Sequence, residues 1–186
     1  MASEVGICNR AIQRVGGTRI ASLSDGSKAA RECSIAYEPS RDALLRSHPW
    51  SFSILRARLA AGSTAPAFGP ALAYTWPTDA LRILFTNDFD NDWIVEGRKI
   101  LTDWAAPLDI RYVSQITDPN AMDALFREAL AMKIAHAICE PITGSNNKQA
   151  SIRQDFIDII AEARRVNGIE KLADTSPESN WIAVRS

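Results

Sequence analysis

Residues 45–52, Leu45-Arg46-Ser47-His48-Pro49-Trp50-Ser51-Phe52, mark the position at which the hydrophobic period of the chain changes. On the N-terminal side, apolar residues recur every three to four positions, as on one face of a helix. On the C-terminal side the period is two, which is typical of half-buried strands. Because the residue before a proline is driven out of helical backbone geometry, we expect the helix to end at about His48. A helical region followed by a β region is therefore predicted.

Two helices are predicted before the β region. Ser3 can cap the first helix, and Gly16-Gly17 can end it because glycine tolerates left-handed backbone geometry. Its apolar face consists of Val5, Cys8, Ile12 and Val15. The second helix is expected to begin near Ser24-Asp25 and to run to about His48. Pro39 lies inside this second helix and removes one backbone donor, so we expect a kink or a break there.

The predicted β region covers residues 50–116. Two runs within it, 81–85 and 108–112, alternate in the manner of half-buried strands. The residues that carry this alternation are Leu81, Ile83, Phe85, Leu108, Ile110 and Tyr112. Residues 60–72 contain glycine and proline and are predicted to form a loop that enters this region.

A hairpin is predicted between these two runs, around Gly97-Arg98. Glycine in the first position of a two-residue loop is typical of a type II′ turn. The resulting register places Glu96 opposite Lys99, where the two charges can form a cross-strand ion pair.

Two further helices are predicted after the β region. Asp118-Pro119 reopens the helical pattern, since a capping carboxylate followed by proline suits the first helical turn. This third helix is nearly all apolar and is expected to be the most buried, with Pro141 and Gly144 ending it. The last helix, roughly 147–166, is amphipathic. After Gly168 the pattern becomes that of a flexible linker with a short apolar end.

The sequence thus predicts an α+β fold with an interrupted helical domain. Residues 1–49 and 117–168 form a discontinuous four-helix domain, residues 50–116 an inserted antiparallel β domain, and residues 169–186 an extended C-terminal tail.

The charges and cysteines restrict the function. Lysine and arginine (21) almost balance aspartate and glutamate (22), without the basic run that binding to phosphates favours. Cys8, Cys33 and Cys139 are too widely spaced for a zinc site and are expected to be reduced core residues. We find no signal peptide and no stretch long enough to span a membrane, so we expect a soluble protein.

No catalytic, cofactor-binding or metal-binding site is predicted. The segment Asp88-Phe89-Asp90-Asn91-Asp92 begins like an EF-hand loop, but Trp93 and Lys99 occupy the positions of the required glycine and glutamate. The same aspartates, with Glu96, are candidates for a glycoside hydrolase only through their closeness in sequence. His48 and His136 lie near no nucleophile motif.

A terminase-like DNA-binding protein is an alternative for residues 3–48, read as a helix-turn-helix. A recognition helix usually carries a net basic face. Here the cations of the second helix are offset by carboxylates, since it contains Lys28, Arg31, Arg41, Arg46, Glu32, Glu38 and Asp42.

Several short segments, in order and spacing, resemble the tail tubular protein A family of short-tailed bacteriophages. The resemblance lies in their combination, which extends along nearly the whole chain. They are Ile7-Cys8-Asn9-Arg10-Ala11, Ser22-Leu23-Ser24-Asp25-Gly26-Ser27, Tyr37 with Arg41-Asp42, Leu45-Arg46-Ser47-His48-Pro49-Trp50-Ser51-Phe52, Trp76-Pro77-Thr78-Asp79-Ala80-Leu81-Arg82, Val95-Glu96-Gly97-Arg98-Lys99-Ile100-Leu101-Thr102, Thr117-Asp118-Pro119 and Ile142-Thr143-Gly144-Ser145.

The resemblance implies a structural virion protein without enzyme activity. Members of the family form a ring of twelve copies that joins the portal to the tail nozzle and continues the DNA channel. It implies helical domains side by side in the ring and β domains reaching distally, with a tail fibre as a further partner. It also implies assembly in the host cytoplasm and a final location at the head–tail junction. Pro39 departs from the family pattern, in which a polar residue is usual.

We expect the partner interface to involve two parts of the chain. At the end of the second helix these are Arg46, His48 and Trp50. In the tail they are Trp181, Ile182, Val184 and Arg185, which we expect to dock on the portal or on an adjacent subunit. The alternative is that Trp181 folds back on the helices of its own chain. Because DNA must slide through the lumen, we expect neutral or acidic residues along the channel.

Overall fold

The structure, a computed structural model, describes residues 1–86 and 93–170. Within these residues it is an α+β fold in which two helices precede and two follow six strands, as the sequence predicts. The helices are α1 (Glu4–Val15), α2 (Lys28–Ser47), α3 (Ala124–Thr143) and α4 (Asn146–Ile169). The strands are β1 (Ile54–Leu59), β2 (Leu72–Thr75), β3 (Ala80–Thr86), β4 (Ile94–Glu96), β5 (Lys99–Thr102) and β6 (Leu108–Ser114).

The strands form two small antiparallel sheets. In the first, β6 lies between β1 and β3, and in the second, β5 lies between β2 and β4. Each sheet joins strands that are distant in sequence. In the first, β1 pairs with β6 from Ile54↔Val113 to Leu59↔Leu108, and in the second, β2 pairs with β5 from Leu72↔Thr102 to Thr75↔Lys99.

Two apolar clusters hold the chain together. The larger lies among the helices, around fully buried α3 residues such as Phe126, Leu130 and Ile134. The smaller lies between the strands, around Tyr74 and Ile100. Trp50 and Val113 come from the β region by sequence but belong to the helical cluster, so the strands and helices share a packed junction.

The first helix has the ends that the sequence predicts. The hydroxyl of Ser3 accepts a 3.0 Å hydrogen bond from the backbone N–H of Gly6. At the other end Gly16 has φ 77°, the left-handed conformation that glycine adopts without steric cost. Cys8, Ile12 and Val15 are buried as predicted.

The second helix begins later than predicted, at Lys28 and not near Ser24-Asp25. Its cap is the hydroxyl of Ser27. The carboxylate of Asp25 instead accepts the backbone N–H groups of Ala21 and Ser22, at 2.9 and 3.1 Å. Aspartate stabilises local turns as readily as it caps helices, and the turn prevails here.

The expected break at Pro39 does not occur, because α2 continues through it to Ser47. Proline removes the hydrogen bond to the carbonyl of the residue four positions earlier, here Ile35. Both residues are exposed, so water can solvate that carbonyl. The helix does end before Pro49 as predicted, since His48 has extended backbone angles.

Strand β3 does not keep the predicted alternation. Its register against β6 shifts between Ala80 and Arg82 and again between Ile83 and Phe85. Such bulges add a residue and reverse the side that the following residues face. As a result Phe85, predicted to be core-facing, is 36 % exposed. Strand β6 has the predicted alternation, with Leu108, Ile110 and Tyr112 buried.

The hairpin between β4 and β5 forms where predicted but with a different turn. Gly97 and Arg98 have φ values of 52° and 61°. Positive values at both positions define a type I′ turn, so the predicted type II′ is wrong. Glu96 lies opposite Lys99 as predicted. Among the described residues, however, no ion pair joins these two side chains.

The third helix also begins later than predicted. Asp118 caps a short 3₁₀ turn, Pro119–Ala121, and Asp123 then caps α3. Pro141 lies inside the last turn without ending it, and the helix ends at Gly144, which has φ 63°. The prediction that this helix is the most buried of the four is confirmed.

The last helix is longer than predicted and includes Gly168. The predicted tail residues 171–186 and the acidic segment 87–92 lie outside the described residues. In the described part of the chain, every helix is too short or too polar to cross a bilayer.

Candidate partner interface

Trp50 is a core residue, which corrects its assignment to a partner interface. Its side chain is 0 % exposed, and its Nε1 donates a 3.1 Å hydrogen bond to the carbonyl of Leu44. Its ring packs edge-on against Phe126 of α3, with ring centres 5.2 Å apart. No partner can reach this side chain without opening the helical core.

His48 and Asn167 connect the ends of α2 and α4. The side-chain Oδ1 of Asn167 accepts a 2.9 Å hydrogen bond from the backbone N–H of Ser51. Its Nδ2 lies 3.1 Å from Nε2 of His48. Nδ2 is a donor, so Nε2 accepts this hydrogen bond in the tautomer of His48 that carries its proton on Nδ1. The His48 ring also packs edge-on against Trp50, with ring centres 4.7 Å apart.

Arg46 is exposed and joins α2 to the first sheet. Its guanidinium donates to the backbone carbonyl of Leu81 in β3. Next to it, the hydroxyl of Ser47 lies 3.3 Å from a guanidinium nitrogen of Arg164 on α4. Arg46 is thus the predicted interface residue in the described ranges whose side chain is most accessible, while His48 is half-buried.

The ends of α2 and α4 lie at the same side of the molecule. The contact between Asn167 and His48 brings the last turn of α4 to the end of α2. The chain continues from Ile169, which is exposed. Trp181, Ile182, Val184 and Arg185 lie outside the described residues. From Glu170 to Trp181 the chain can span at most ~40 Å, at roughly 3.3–3.6 Å per residue.

Two further residues of the family-like segments have structural roles near β3. The carboxylate of Asp79 accepts a 2.7 Å hydrogen bond from the hydroxyl of Ser114 and a longer one, 3.3 Å, from Tyr112. The guanidinium of Arg98 lies 5.5 Å from the ring centre of Trp76 and donates to the carbonyl of Pro77 at 3.2 Å. Both contacts fix the turn that leads into β3.

The three cysteines lie in the helical core, where the thiols of Cys8 and Cys33 are hydrogen-bonded to each other. Cys8, Cys33 and Cys139 are free and buried, as predicted. The pKa of the Cys8 thiol is raised, mainly by its hydrogen bond with Cys33 and then by burial. A thiol that stays protonated is a poor nucleophile and a poor metal ligand. Within residues 1–86 and 93–170, no group of three histidine, cysteine or carboxylate side chains is placed to hold a metal ion.

The acidic candidates for calcium binding or glycoside hydrolysis cannot be placed as a group. Asp88, Asp90 and Asp92 lie outside the described residues, and Glu96 is exposed on the short edge strand β4. His136 is half-buried on α3, where its backbone carbonyl accepts a 3.3 Å hydrogen bond from Gln149. These readings therefore stay predictions.

Two features were missed by sequence reasoning. One is the contact of Asn167 with His48, which nothing in the local sequence of Asn167 indicates. The other feature is the outer face of the first sheet, where Arg56, Arg58 and Arg111 line one groove. The alternation of Arg56 with Arg58 was a usable signal, because residues two apart in a strand share a face.

Comparison of the chain with protein-family models and with curated proteins finds no match.

Proposed function

We propose that this protein is a structural adaptor of a short-tailed phage, similar to tail tubular protein A. In this proposal twelve copies form a ring that joins the portal to the tail nozzle and continues the DNA channel. Such a protein performs no chemistry, is made in the host cytoplasm and functions at the head–tail junction of the virion. A tail fibre is a further candidate partner.

The observation that carries the proposal is the order of the elements. Two helices, an antiparallel β region and two more helices follow one another, with the strands inserted between α2 and α3. This is the architecture that the resemblance implies. The segments that resemble the family serve different purposes within it: Asp25 folds a turn, Trp50 fills the core, and Asp79 anchors β3.

The surface of the helical part is compatible with neighbours in a ring. Ile35 on α2 and Ile157 on α4 are exposed, and Ile169 ends α4 in an exposed position. Single exposed apolar residues are common on soluble proteins. Their value for the proposal is that they lie on α2 and α4, two of the three helices that pack against the buried α3, where they are accessible to other copies.

The end of α4 supports a role for the tail. The tail begins at the same side of the molecule as Arg46 and His48. It contains three large apolar residues, Trp181, Ile182 and Val184, within four positions. One such tail binds weakly, because ordering its residues offsets most of the burial. Twelve tails that engage one ring can hold firmly through effective concentration.

Helix-turn-helix geometry is not found in α1 and α2. These helices are joined by residues 16–27, whereas a helix-turn-helix uses a turn of about 3–4 residues. The geometry thus gives no support to the DNA-binding alternative.

Sedimentation of the purified chain, with electron microscopy of the same sample, tests the proposal. The monomer has a mass of 20.4 kDa, so a ring of twelve has about 245 kDa, twelve times 20.4 kDa. We expect ring-shaped particles of that mass, alone or after addition of the portal protein of the same virus. A species that stays at the monomer mass at every concentration and with the portal would refute the adaptor.

A further inference from the structure

The outer face of the first sheet carries three arginines around one groove. The groove has a volume of about 540 Å³ and is lined by Arg56 and Arg58 of β1, Asp109 and Arg111 of β6, and Phe85 of β3. The side chains share this face because residues two apart in a strand point the same way. The sheet register places Arg56 directly opposite Arg111.

One of the three arginines already has a carboxylate. Nε and an Nη of Arg58 donate to the two oxygens of Asp109, at 2.7 and 3.0 Å. Accordingly the pKa of Asp109 is lowered by its hydrogen bond with Arg58. This pair shows that the face accommodates a carboxylate in the fork geometry that a guanidinium prefers.

Arg56 and Arg111, unlike Arg58, face each other across the sheet and not a carboxylate. They are like charges on paired residues, an arrangement that destabilises a sheet. Among the described residues no ion pair includes either of them. The Nε of Arg111 is enclosed by protein and has no acceptor in the part of the chain that the structure describes. An enclosed donor without an acceptor costs free energy that a bound oxyanion can recover.

The groove also has an apolar side. The guanidinium of Arg111 lies 5.6 Å from the ring centre of Phe85, which is 36 % exposed. A ligand that places an oxyanion between Arg56 and Arg111 therefore also contacts an aromatic ring.

We propose that this face is a docking site for an acidic protein segment, with one carboxylate held between Arg56 and Arg111 and an apolar side chain on Phe85. Charge complementarity argues for a protein carboxylate and against a nucleic acid. Binding along a phosphate backbone favours an extended basic track. Here Arg56 and Arg111, which form no ion pair within residues 1–86 and 93–170, lie beside the Arg58–Asp109 ion pair, so the face has two cations for one anion and not a basic track for a row of phosphates. The site does not depend on the ring proposed above.

The test is a titration of the full chain with a capped peptide, Ser-Glu-Leu-Glu-Ser. Binding is monitored through the arginine Nε–Hε resonances in NMR spectra. We expect the resonances of Arg56 and Arg111 to shift, with a dissociation constant of about 1 mM. The variant R56Q/R111Q should bind roughly tenfold more weakly, because it loses charge-assisted hydrogen bonds. The control variant R19Q/R153Q removes the same charge from exposed helical or loop positions and should bind like the wild type.

Two comparisons identify the ligand chemistry. The peptide Ser-Gln-Leu-Gln-Ser should cause no shift, since it lacks the carboxylates. A single-stranded oligonucleotide should bind more weakly than the acidic peptide at the same ionic strength. The proposal is overturned if the acidic peptide causes no shift, if R56Q/R111Q binds it as well as the control does, or if the oligonucleotide binds more tightly at these arginines.

Discussion

His48 and Asn167 are 119 positions apart in sequence, yet Nε2 of the histidine and Nδ2 of the asparagine lie 3.1 Å from each other. The same asparagine also accepts the backbone N–H of Ser51. The side chain of Asn167 thus pairs with a backbone N–H in the turn after α2 and joins this turn to α4.

Replacing this asparagine should therefore destabilise the helical core. Asn167→Ala removes the acceptor of the Ser51 N–H and the contact with the ring of His48, both made by a buried side chain. We expect a loss of about 1–3 kcal/mol in the free energy of unfolding, measured with urea. Asn147→Ala, at an exposed position of the same helix, serves as the control and should stay within about 0.5 kcal/mol of the wild type. Equal stability of the two variants would contradict the role of Asn167.

The turn between β4 and β5 should be sensitive to backbone conformation alone. Gly97 has φ 52°, and a Cβ added there meets no atom within 4 Å. Gly97→Ala should therefore cost about 1–2 kcal/mol through the left-handed conformation and not through a clash.

Gly26→Ala separates these two causes. A Cβ at Gly26 also meets no atom within 4 Å, but its φ lies outside the left-handed region. This variant should be neutral or up to about 1 kcal/mol more stable in the same urea titration, because alanine restricts the unfolded chain. Equal losses at the two glycines would rule out the conformational explanation.

Two tyrosines should respond in opposite ways to loss of the hydroxyl. The hydroxyl of Tyr37 is buried and has no hydrogen-bond partner among the described residues. Tyr37→Phe should leave the free energy of unfolding unchanged or raise it by up to about 1 kcal/mol, as measured by thermal unfolding. The hydroxyl of Tyr74 donates a 2.6 Å hydrogen bond to the carbonyl of Trp104. Tyr74→Phe should lower the stability by about 1 kcal/mol. A larger loss from Tyr37→Phe than from Tyr74→Phe would argue against this difference.

The repulsion across the first sheet should be reversible by a single substitution. Arg56→Glu places a carboxylate opposite Arg111 and should raise the unfolding free energy by about 0.2–1 kcal/mol at low salt. Added salt should reduce this gain by screening. Arg153→Glu makes the same change in net charge on α4, where the residues three and four positions away carry no charge. A comparable gain from Arg153→Glu would show that net charge, and not the pair, is responsible.

The tail should matter for assembly more than for folding. Under the proposed adaptor function, deletion of residues 176–186 should leave the unfolding temperature unchanged and abolish co-sedimentation with a portal protein, because it removes the apolar residues that would be buried there. A control that replaces residues 176–180 by glycine and serine keeps the apolar end and should still co-sediment. Full retention of binding by the deletion variant would refute a docking role for the tail.

The sequence by itself determined the class of the fold, the order of its helices and strands, and the positions of some helix ends. Hydrophobic period, which depends only on the order of residues, separated helices from strands. Capping by Ser3 and the end of α2 before Pro49 follow from the chemistry of one or two neighbouring residues, so they were predictable. The starts of α2 and α3 were not, because Asp25 and Asp118 each had more than one local hydrogen-bonding option.

Only the tertiary structure decided which side chains are accessible and which meet. Trp50 looked available in sequence and is in fact enclosed by α3. The bulges of β3 moved Phe85 to the surface, where it lies beside Arg111. Asn167 reached His48, and Arg56 reached Arg111, through pairings between segments far apart in the chain. Such contacts depend on how the elements pack in space, and a local pattern of residues carries no record of that packing.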